Sequence, residues 1–257
     1  MIFADVSATQ ITKIFITHFH GDHCLGLAGI LQRLSLDKVP HTVKLFYPKS
    51  GQQFIENLKN ASIFHNVATI EDHPIDEEGV IFETETYTIE TRKLSHTVEC
   101  WGYRFVEKDT FTMIPEKLES FGVRGKIVAV LKKEGLIEID GKTIKVEDCG
   151  VFKKGQTFAF VMDTRSCQNA FALAKNVDLL VCESTYLKSE TKEADAHGHL
   201  TAEKAAKIAK NSGAKLLALT HFSQRYLHIK DFLKEAKKVH ENSIAMKDGD
   251  FVDIERS

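Results

Sequence analysis

The segment Thr17-His18-Phe19-His20-Gly21-Asp22-His23-Cys24-Leu25-Gly26 puts three imidazoles and a carboxylate within six positions, directly after the apolar run Ile14-Phe15-Ile16. A buried strand that ends in such a cluster forms a natural metal cradle. Neutral imidazole and carboxylate suit borderline divalent ions such as Zn²⁺. His18 and His20 are two residues apart, so on an extended backbone they face the same way and can serve one ion. Asp22 and His23 follow a glycine that lets the chain turn, which positions them for a second ion nearby. The competing reading is a polar surface loop that happens to hold histidines. The density of donors behind a buried strand argues against it.

The chain has 257 residues, enough for one large domain or one domain with an insertion. With 43% hydrophobic and 27% charged residues it has the composition of an ordinary soluble globular protein. Its longest apolar runs, such as Ile127-Val128-Ala129-Val130-Leu131, are far too short to span a bilayer. The first residues lack a charged region and a small-residue cleavage site, so no signal peptide is expected. Five cysteines without CxxC spacing fit reduced thiols of a cytoplasmic protein rather than a disulfide framework. A net charge of −2 argues against a protein that coats nucleic acid, while a local basic patch remains compatible with it.

Met1–Gln10 has no clear pattern. Residues 11–17 read as a buried strand and Leu25–Leu34 as a helix behind the histidine loop. Val43–Tyr47 is a second strand, stopped by Pro48, and Ser50 is placed to cap a helix over Gly51–Ala61. Ile81–Arg92 alternates as one long strand and Trp101–Val106 follows as another. Leu136–Val146 is a hairpin about Asp140-Gly141. Phe158–Met162 is a buried strand ending in Asp163. The remainder alternates: helix Gln168–Lys175, strand Asp178–Cys182, helix Thr201–Asn211 capped by Thr201, strand Ala214–Thr220, helix Ile229–His240 and a closing hairpin Ile244–Ile254 around Gly249. Strands first and strand–helix units later, with short connections, imply an α/β fold of stacked sheets flanked by helices.

Four strand ends carry a candidate ligand: His18/His20, His96, Asp163 and His221. Taken singly, His96 reads better as a core or surface histidine than as a ligand, and Asp163 better as the cap of the following helix. His221 is delivered by the buried strand Ala214–Thr220. Taken together they are the further ligands that two ions bound to a short motif require, and a carboxylate such as Asp163 can bridge two ions.

With these residues in place the sequence resembles the metallo-β-lactamase fold. Within it, Phe15–His23, Val181-Cys182-Glu183-Ser184-Thr185-Tyr186, Gly198-His199-Leu200-Thr201 and Thr220-His221-Phe222-Ser223-Gln224-Arg225-Tyr226 are similar to the tRNase Z (ribonuclease Z) family. The resemblance runs from about residue 11 to the C-terminus and implies an αββα sandwich over residues 1–257. It implies two zinc ions per chain, one on His18, His20 and His96 and the other on Asp22, His23 and His221, bridged by Asp163. It further implies water attack on a phosphodiester, with Asp22 accepting the water's proton. His199 would be the general acid at the leaving 3′ oxygen, oriented by Glu183. The implied function is a hydrolase of precursor tRNA, an endonuclease that removes the 3′ trailer, working as a cytoplasmic homodimer. His197 is a bystander in this reading.

The sequence departs from the family in three places. The family begins with further strands before the histidine motif, so an N-terminally truncated sandwich is expected, with only seventeen residues ahead of His18. The family's exosite arm carries a Gly-Pro signature where Arg124-Gly125 stands here, and Cys182 and Ser184 replace a frequent His and Ala. The arm insertion is expected over residues 116–154. Residues 117–154 hold nine Lys/Arg against six Asp/Glu, which suits contacts to an RNA backbone and equally a solvated hairpin. Two alternatives stand beside the main reading: a small-molecule phosphodiesterase on the same fold, and a truncated, weakly active RNA-binding or dimer partner.

Overall fold

The computed structural model describes residues 6–254. Strand β1 (Lys13–Phe15) leads through the single helical turn α1 (Gly21–Cys24) into helix α2 (Gly26–Leu36). Strand β2 (Val43–Pro48), helix α3 (Gln52–Lys59) and strand β3 (Ile70–Ile75) complete a three-stranded parallel sheet in the order β1-β2-β3. The meander β4 (Gly79–Glu83), β5 (Tyr87–Leu94) and β6 (Cys100–Glu107) opens a second sheet. Strand β7 (Thr110–Met113) then leaves it for a separate unit made of helices α4 (Pro115–Ser120) and α5 (Lys126–Glu134), the hairpin β8 (Leu136–Ile139) and β9 (Lys142–Lys145), and the turn α6 (Val146–Cys149). Strand β10 (Gly150–Lys153) returns antiparallel to β7.

The second sheet is completed by β11 (Thr157–Val161), helix α7 (Gln168–Leu173), β12 (Leu179–Glu183), helices α8 (Thr191–His197) and α9 (Ala202–Ser212), β13 (Leu216–Thr220), helix α10 (Lys230–Lys237) and β14 (Ser243–Ala245). Its seven strands run β14-β13-β12-β11-β6-β5-β4.

Side-chain alternation on the strands sorts the core into layers. On β2, Val43, Leu45 and Tyr47 point away from the second sheet and pack with Leu27, Leu31 and Leu34 of α2 and Ile55 of α3. Phe46, between them, points the other way and joins Ile75, Trp101 and Tyr103 in a cluster shared by both sheets. Phe15 stacks on Phe46 with ring centroids 4.7 Å apart. Behind the second sheet, Ala159, Val161, Leu180 and Leu217 pack against α7, α9 and α10 through Leu173, Ile208 and Phe232. The result is the four-layered αββα sandwich, with each sheet covered on its outer face by helices. A further cluster, Val123, Leu131, Ile144, Val146 and Cys149, belongs to the unit between β7 and β10 and is separate from the other three.

Strand direction decides where the chemistry collects. β11, β12 and β13 are mutually parallel. β6 runs antiparallel to β11 and β5 antiparallel to β6, so β5 points the same way as β11. The C-terminal ends of β5, β11, β12 and β13 therefore share one rim, where open α/β sheets bind ligands. The first sheet is tied to that rim by two bonds from β6: Trp101 N–H donates to Thr17 O at 2.9 Å, and the Tyr103 hydroxyl donates to Ile16 O at 2.6 Å.

Several local expectations change. The expected strand Ile81–Arg92 is a hairpin, because Thr84 Oγ1 accepts from Thr86 and Tyr87 N–H and donates to Tyr87 O, closing a turn inside an alternating sequence. Ser50 does not cap α3; it lies in a short 3₁₀ turn and its hydroxyl bonds Glu99. The neighbouring Gly51 leaves room for Phe19, since a Cβ there would lie 1.8 Å from that ring. In place of the expected hairpin Ile244–Ile254 the described residues form one strand, Ser243–Ala245, which runs parallel to β13. Strand β3 escaped notice because it carries Glu71, Asp72 and Pro74. An edge strand tolerates these, and Lys44 and Lys59 pair with the two acids. Helices α4, α5 and α8 and the β7–β10 ribbon were likewise unforeseen. The Asp140-Gly141 hairpin is present, with φ of 50° and 74° as its tight turn requires. Of the patternless Met1–Gln10, residues 1–5 lie outside the described residues, while Ala8–Gln10 form a turn capped by Ser7.

The Tyr103 hydroxyl bond crosses between buried groups, so Tyr103→Phe should leave Ile16 O short of a partner and cost about 1–3 kcal/mol of stability. Urea unfolding of the two proteins measures this directly, with an unchanged midpoint contradicting the tie.

Candidate metal centre

All seven sequence-predicted ligands meet at the shared rim. Asp163, two residues past β11, is buried, and its carboxylate lies among four imidazoles. Oδ2 is 3.5 Å from His18 Nε2, 3.4 Å from His23 Nε2 and 3.6 Å from His96 Nε2. Oδ1 is 3.5 Å from His221 Nε2. His20 Nδ1 lies 3.2 Å from His96 Nε2, and His23 Nε2 lies 3.1 Å from His221 Nε2. Asp22 Oδ2 is 3.2 Å from His23 Nε2 and 3.7 Å from His221 Nε2. The donors sort into two adjoining groups, His18/His20/His96/Asp163 and Asp22/His23/His221, each with ligand atoms within 4.8 Å of one another. A third grouping sets His199 with Asp163 and His221.

The outward nitrogens are held from behind. Thr17 Oγ1 sits 3.0 Å from His18 Nδ1. His96 Nδ1–H donates to Gly198 O at 2.9 Å, and Thr185 Oγ1 lies 2.8 Å from His221 Nδ1. In each case Nε2 is left facing the carboxylate, the orientation that outer partners impose on metal-binding histidines. Gly198 has φ of 79° and ends α8; a Cβ there would come within 2.8 Å of the His96 ring. Arg165 donates to Asp195 O and Ala196 O and so fastens the last turn of α8 beside this contact.

Glu183, at the end of β12, is fully buried and thoroughly bonded. Oε1 accepts from Thr164 N–H at 2.7 Å and from His199 Nδ1–H at 3.1 Å. Oε2 accepts from Leu200 N–H at 3.1 Å, from Thr185 N–H at 3.3 Å and from the Thr185 hydroxyl at 2.7 Å. Thr17, Arg165 and Thr185 were not singled out from the sequence. For Thr185, the two-residue spacing from Glu183 on a strand end was the available signal.

The electrostatics favour a cation. Burial pushes His18 down to about 3, so its ring is neutral at physiological pH, and burial lowers His96 as well. Burial opposes the charge on Asp163, yet its bond to His23 and the surrounding imidazoles hold it well below the usual carboxylate range. His23 is raised although burial pulls it down, because the Asp163 bond and charge outweigh burial. His18 Nε2 and Asp163 Oδ1 are buried with no hydrogen-bond partner. Neutral imidazole lone pairs facing an ionised carboxylate, with buried acceptors left over, form a donor set that a divalent ion satisfies. The residues present fit a metal.

A sign for acid stability follows. His18 and His96 have folded values below 6.5, so the folded metal-free chain binds fewer protons than the unfolded chain beneath that pH. His23 and His199 are raised, and their contribution is already complete below 6.5. Stability of the metal-free protein should therefore fall as pH drops from 6.5 towards 4. Urea midpoints of chelator-treated protein across that range should decline, and His18→Asn should flatten the decline.

Comparison with known proteins agrees with this geometry. The family model described as "Metallo-beta-lactamase superfamily" matches residues 2–104. Ribonuclease Z of Chlamydia pneumoniae is 43% identical over 241 residues, 94% of this chain and 78% of that protein. Ribonuclease Z of Streptomyces avermitilis is 46% identical over 237 residues, 92% of this chain and 77% of that protein. The crystal structure of human tRNase Z, short form, superposes with a TM-score of 0.69 at 22% identity, covering 99% of this chain and 83% of that one. The metallo-beta-lactamase fold protein YhfI from Bacillus subtilis superposes with a TM-score of 0.63 at 19% identity, covering 96% and 78%. The structures fix the fold, and identity of this level over most of both chains fixes the family: this chain belongs to the ribonuclease Z family.

Proposed function

We propose that the chain is a zinc-dependent endoribonuclease that removes the 3′ trailer from precursor tRNA. The observation that carries the reading is the buried Glu183–His199 pair set beside the imidazole–carboxylate centre, in a chain whose relatives are named ribonuclease Z. His18, His20 and His96 would hold one ion, Asp22, His23 and His221 the other, with Asp163 shared. An imidazole-rich set completed by carboxylates is the chemistry that zinc prefers. When bound, such a pair of ions supplies Lewis acidity towards water and the scissile phosphate.

The protein groups then divide the proton transfers. The Asp22 side chain is 70% exposed at the mouth of the centre, where it can take the proton of the attacking water. His199 gives its Nδ1–H to Glu183, which leaves Nε2 to protonate the departing 3′ oxygen. Burial lowers the His199 value, but the Glu183 bond and charge more than restore it, so the imidazolium needed by a general acid is favoured. Glu183, fully bonded, keeps the ring's orientation.

The unit between β7 and β10 would be the RNA-holding arm. Its separate apolar cluster supports a self-contained projection, and the basic excess of residues 117–154 comes from Lys153 and Lys154 at its base, since residues 114–149 hold seven Lys/Arg against seven Asp/Glu. In a homodimer such an arm would hold the tRNA for the partner's active site. Among the described residues no helix is long and apolar enough to cross a membrane, and all five cysteines are free, consistent with work in the cytoplasm.

His199→Ala should lower turnover on a precursor tRNA with a 3′ trailer by about 10² or more. Elemental analysis should find its metal content unchanged; loss of metal would make His199 a ligand instead. For the arm, Met113 and Gly150 face each other across the ribbon, so residues 114–149 can be replaced by a two-residue Asn-Gly turn. That variant should lose precursor-tRNA cleavage yet hydrolyse bis(p-nitrophenyl) phosphate at the parent rate. Equal loss on both substrates would show the unit to be part of the catalytic fold.

A further inference from the structure

We propose that Thr185 is the positioning residue that sets His221 for metal and joins it to the Glu183–His199 pair. The inference rests on the metal-hydrolase reading above.

The argument is one of proton accounting. A threonine hydroxyl has one proton to give and lone pairs to receive. Glu183 Oε2, 2.7 Å away, is a carboxylate oxygen and accepts, so the hydroxyl proton goes to it. The hydroxyl oxygen must then receive at His221 Nδ1, 2.8 Å away. His221 is thereby fixed with its proton on Nδ1 and its Nε2 lone pair turned towards Asp163 Oδ1 and His23 Nε2. His199 Nδ1, 3.2 Å from the hydroxyl, already has Glu183 Oε1 as acceptor at 3.1 Å. One carboxylate thus orients the acid directly and a ligand through one hydroxyl.

His221 has particular need of this bond. Its side chain is 24% exposed, against 0% for His18 and 1% for His96, so packing alone does not pin the ring. Its φ of 58° places it just past β13, outside the ladder. Thr185 is itself firmly held: it is buried, its N–H donates to Glu183, and its carbonyl accepts from Ser223 N–H at 3.2 Å, two residues beyond His221. The hydroxyl is a fixed anchor for a ring that lacks one.

The test is zinc competition with a chromophoric chelator on the full chain, comparing the parent, Thr185→Val and Thr185→Ser. Valine keeps the shape and removes the hydroxyl; serine keeps the hydroxyl. The valine variant should weaken one of two zinc ions by about 10–100-fold, the scale of losing an outer-sphere partner, and leave the other unchanged. Serine should restore binding to within about threefold. Unchanged affinities in the valine variant, or serine as weak as valine, would overturn the proposal. As a readout independent of any variant's folding, ¹⁵N-histidine NMR of the metal-free parent should show His221 as the Nδ1–H tautomer, with the Nε2–H tautomer overturning it. A parent that binds no zinc while His221 shows the Nδ1–H tautomer would sink the metal reading and spare the Thr185–His221 bond.

Discussion

The structure turns on a buried carboxylate, one oxygen of which has no hydrogen bond from the protein. Asp163 is ionised, almost fully enclosed and ringed by imidazoles, of which His18 is held neutral by its own burial. Burying a charge is costly unless it is paired, and here the pairing from the chain stops short, with Oδ1 and His18 Nε2 left without hydrogen bonds. A divalent ion would resolve both deficits at once. Binding free energy at such a site becomes folding free energy, so the centre is a structural element as well as a chemical one.

The surrounding fold brings these side chains together, two of them from an unusual backbone conformation. Asp163 and His221 both take positive φ, at 51° and 58°, directly beyond their strands. That region costs energy for most side chains, though Asp and His are among those that enter it most readily. The kink lets each strand run straight through the core and still turn its last side chain inward over the rim. Parallel strands make the arrangement possible, since an antiparallel neighbour would send its end to the opposite edge.

A second carboxylate, Glu183, organises the His199 side of the centre. Its five donors come from Thr164, His199, Leu200 and twice from Thr185, so it binds together the loop after β11, the loop after β12 and the Gly198–Leu200 segment. Gly198 O in turn holds His96. His199 and His96 therefore share one hydrogen-bonded support, which fixes their separation. The unit between β7 and β10 stands apart, with its own core, and can vary in surface charge without disturbing that support.

The sequence by itself determined the donors and their delivery. His18, His20, Asp22 and His23 are legible because a short motif fixes its own spacing, Asp163 and His221 because each follows an apolar run, and His96 because it stands just beyond an alternating strand. The Asp140-Gly141 turn and the Thr201 cap are equally local, and each formed as the residue chemistry requires. What depends on distant neighbours was not legible: the turn closed by Thr84, the charged edge strand Ile70–Ile75, and the helices within the unit between β7 and β10. The outer partners belong to this class too. Thr185 reaches His221 across thirty-six positions and Arg165 reaches Asp195 across thirty, distances that only the packed sheets close. A candidate donor is recognised by what it is, but its support only by where the fold puts it, because a hydrogen bond between strand ends leaves no periodic trace in the chain.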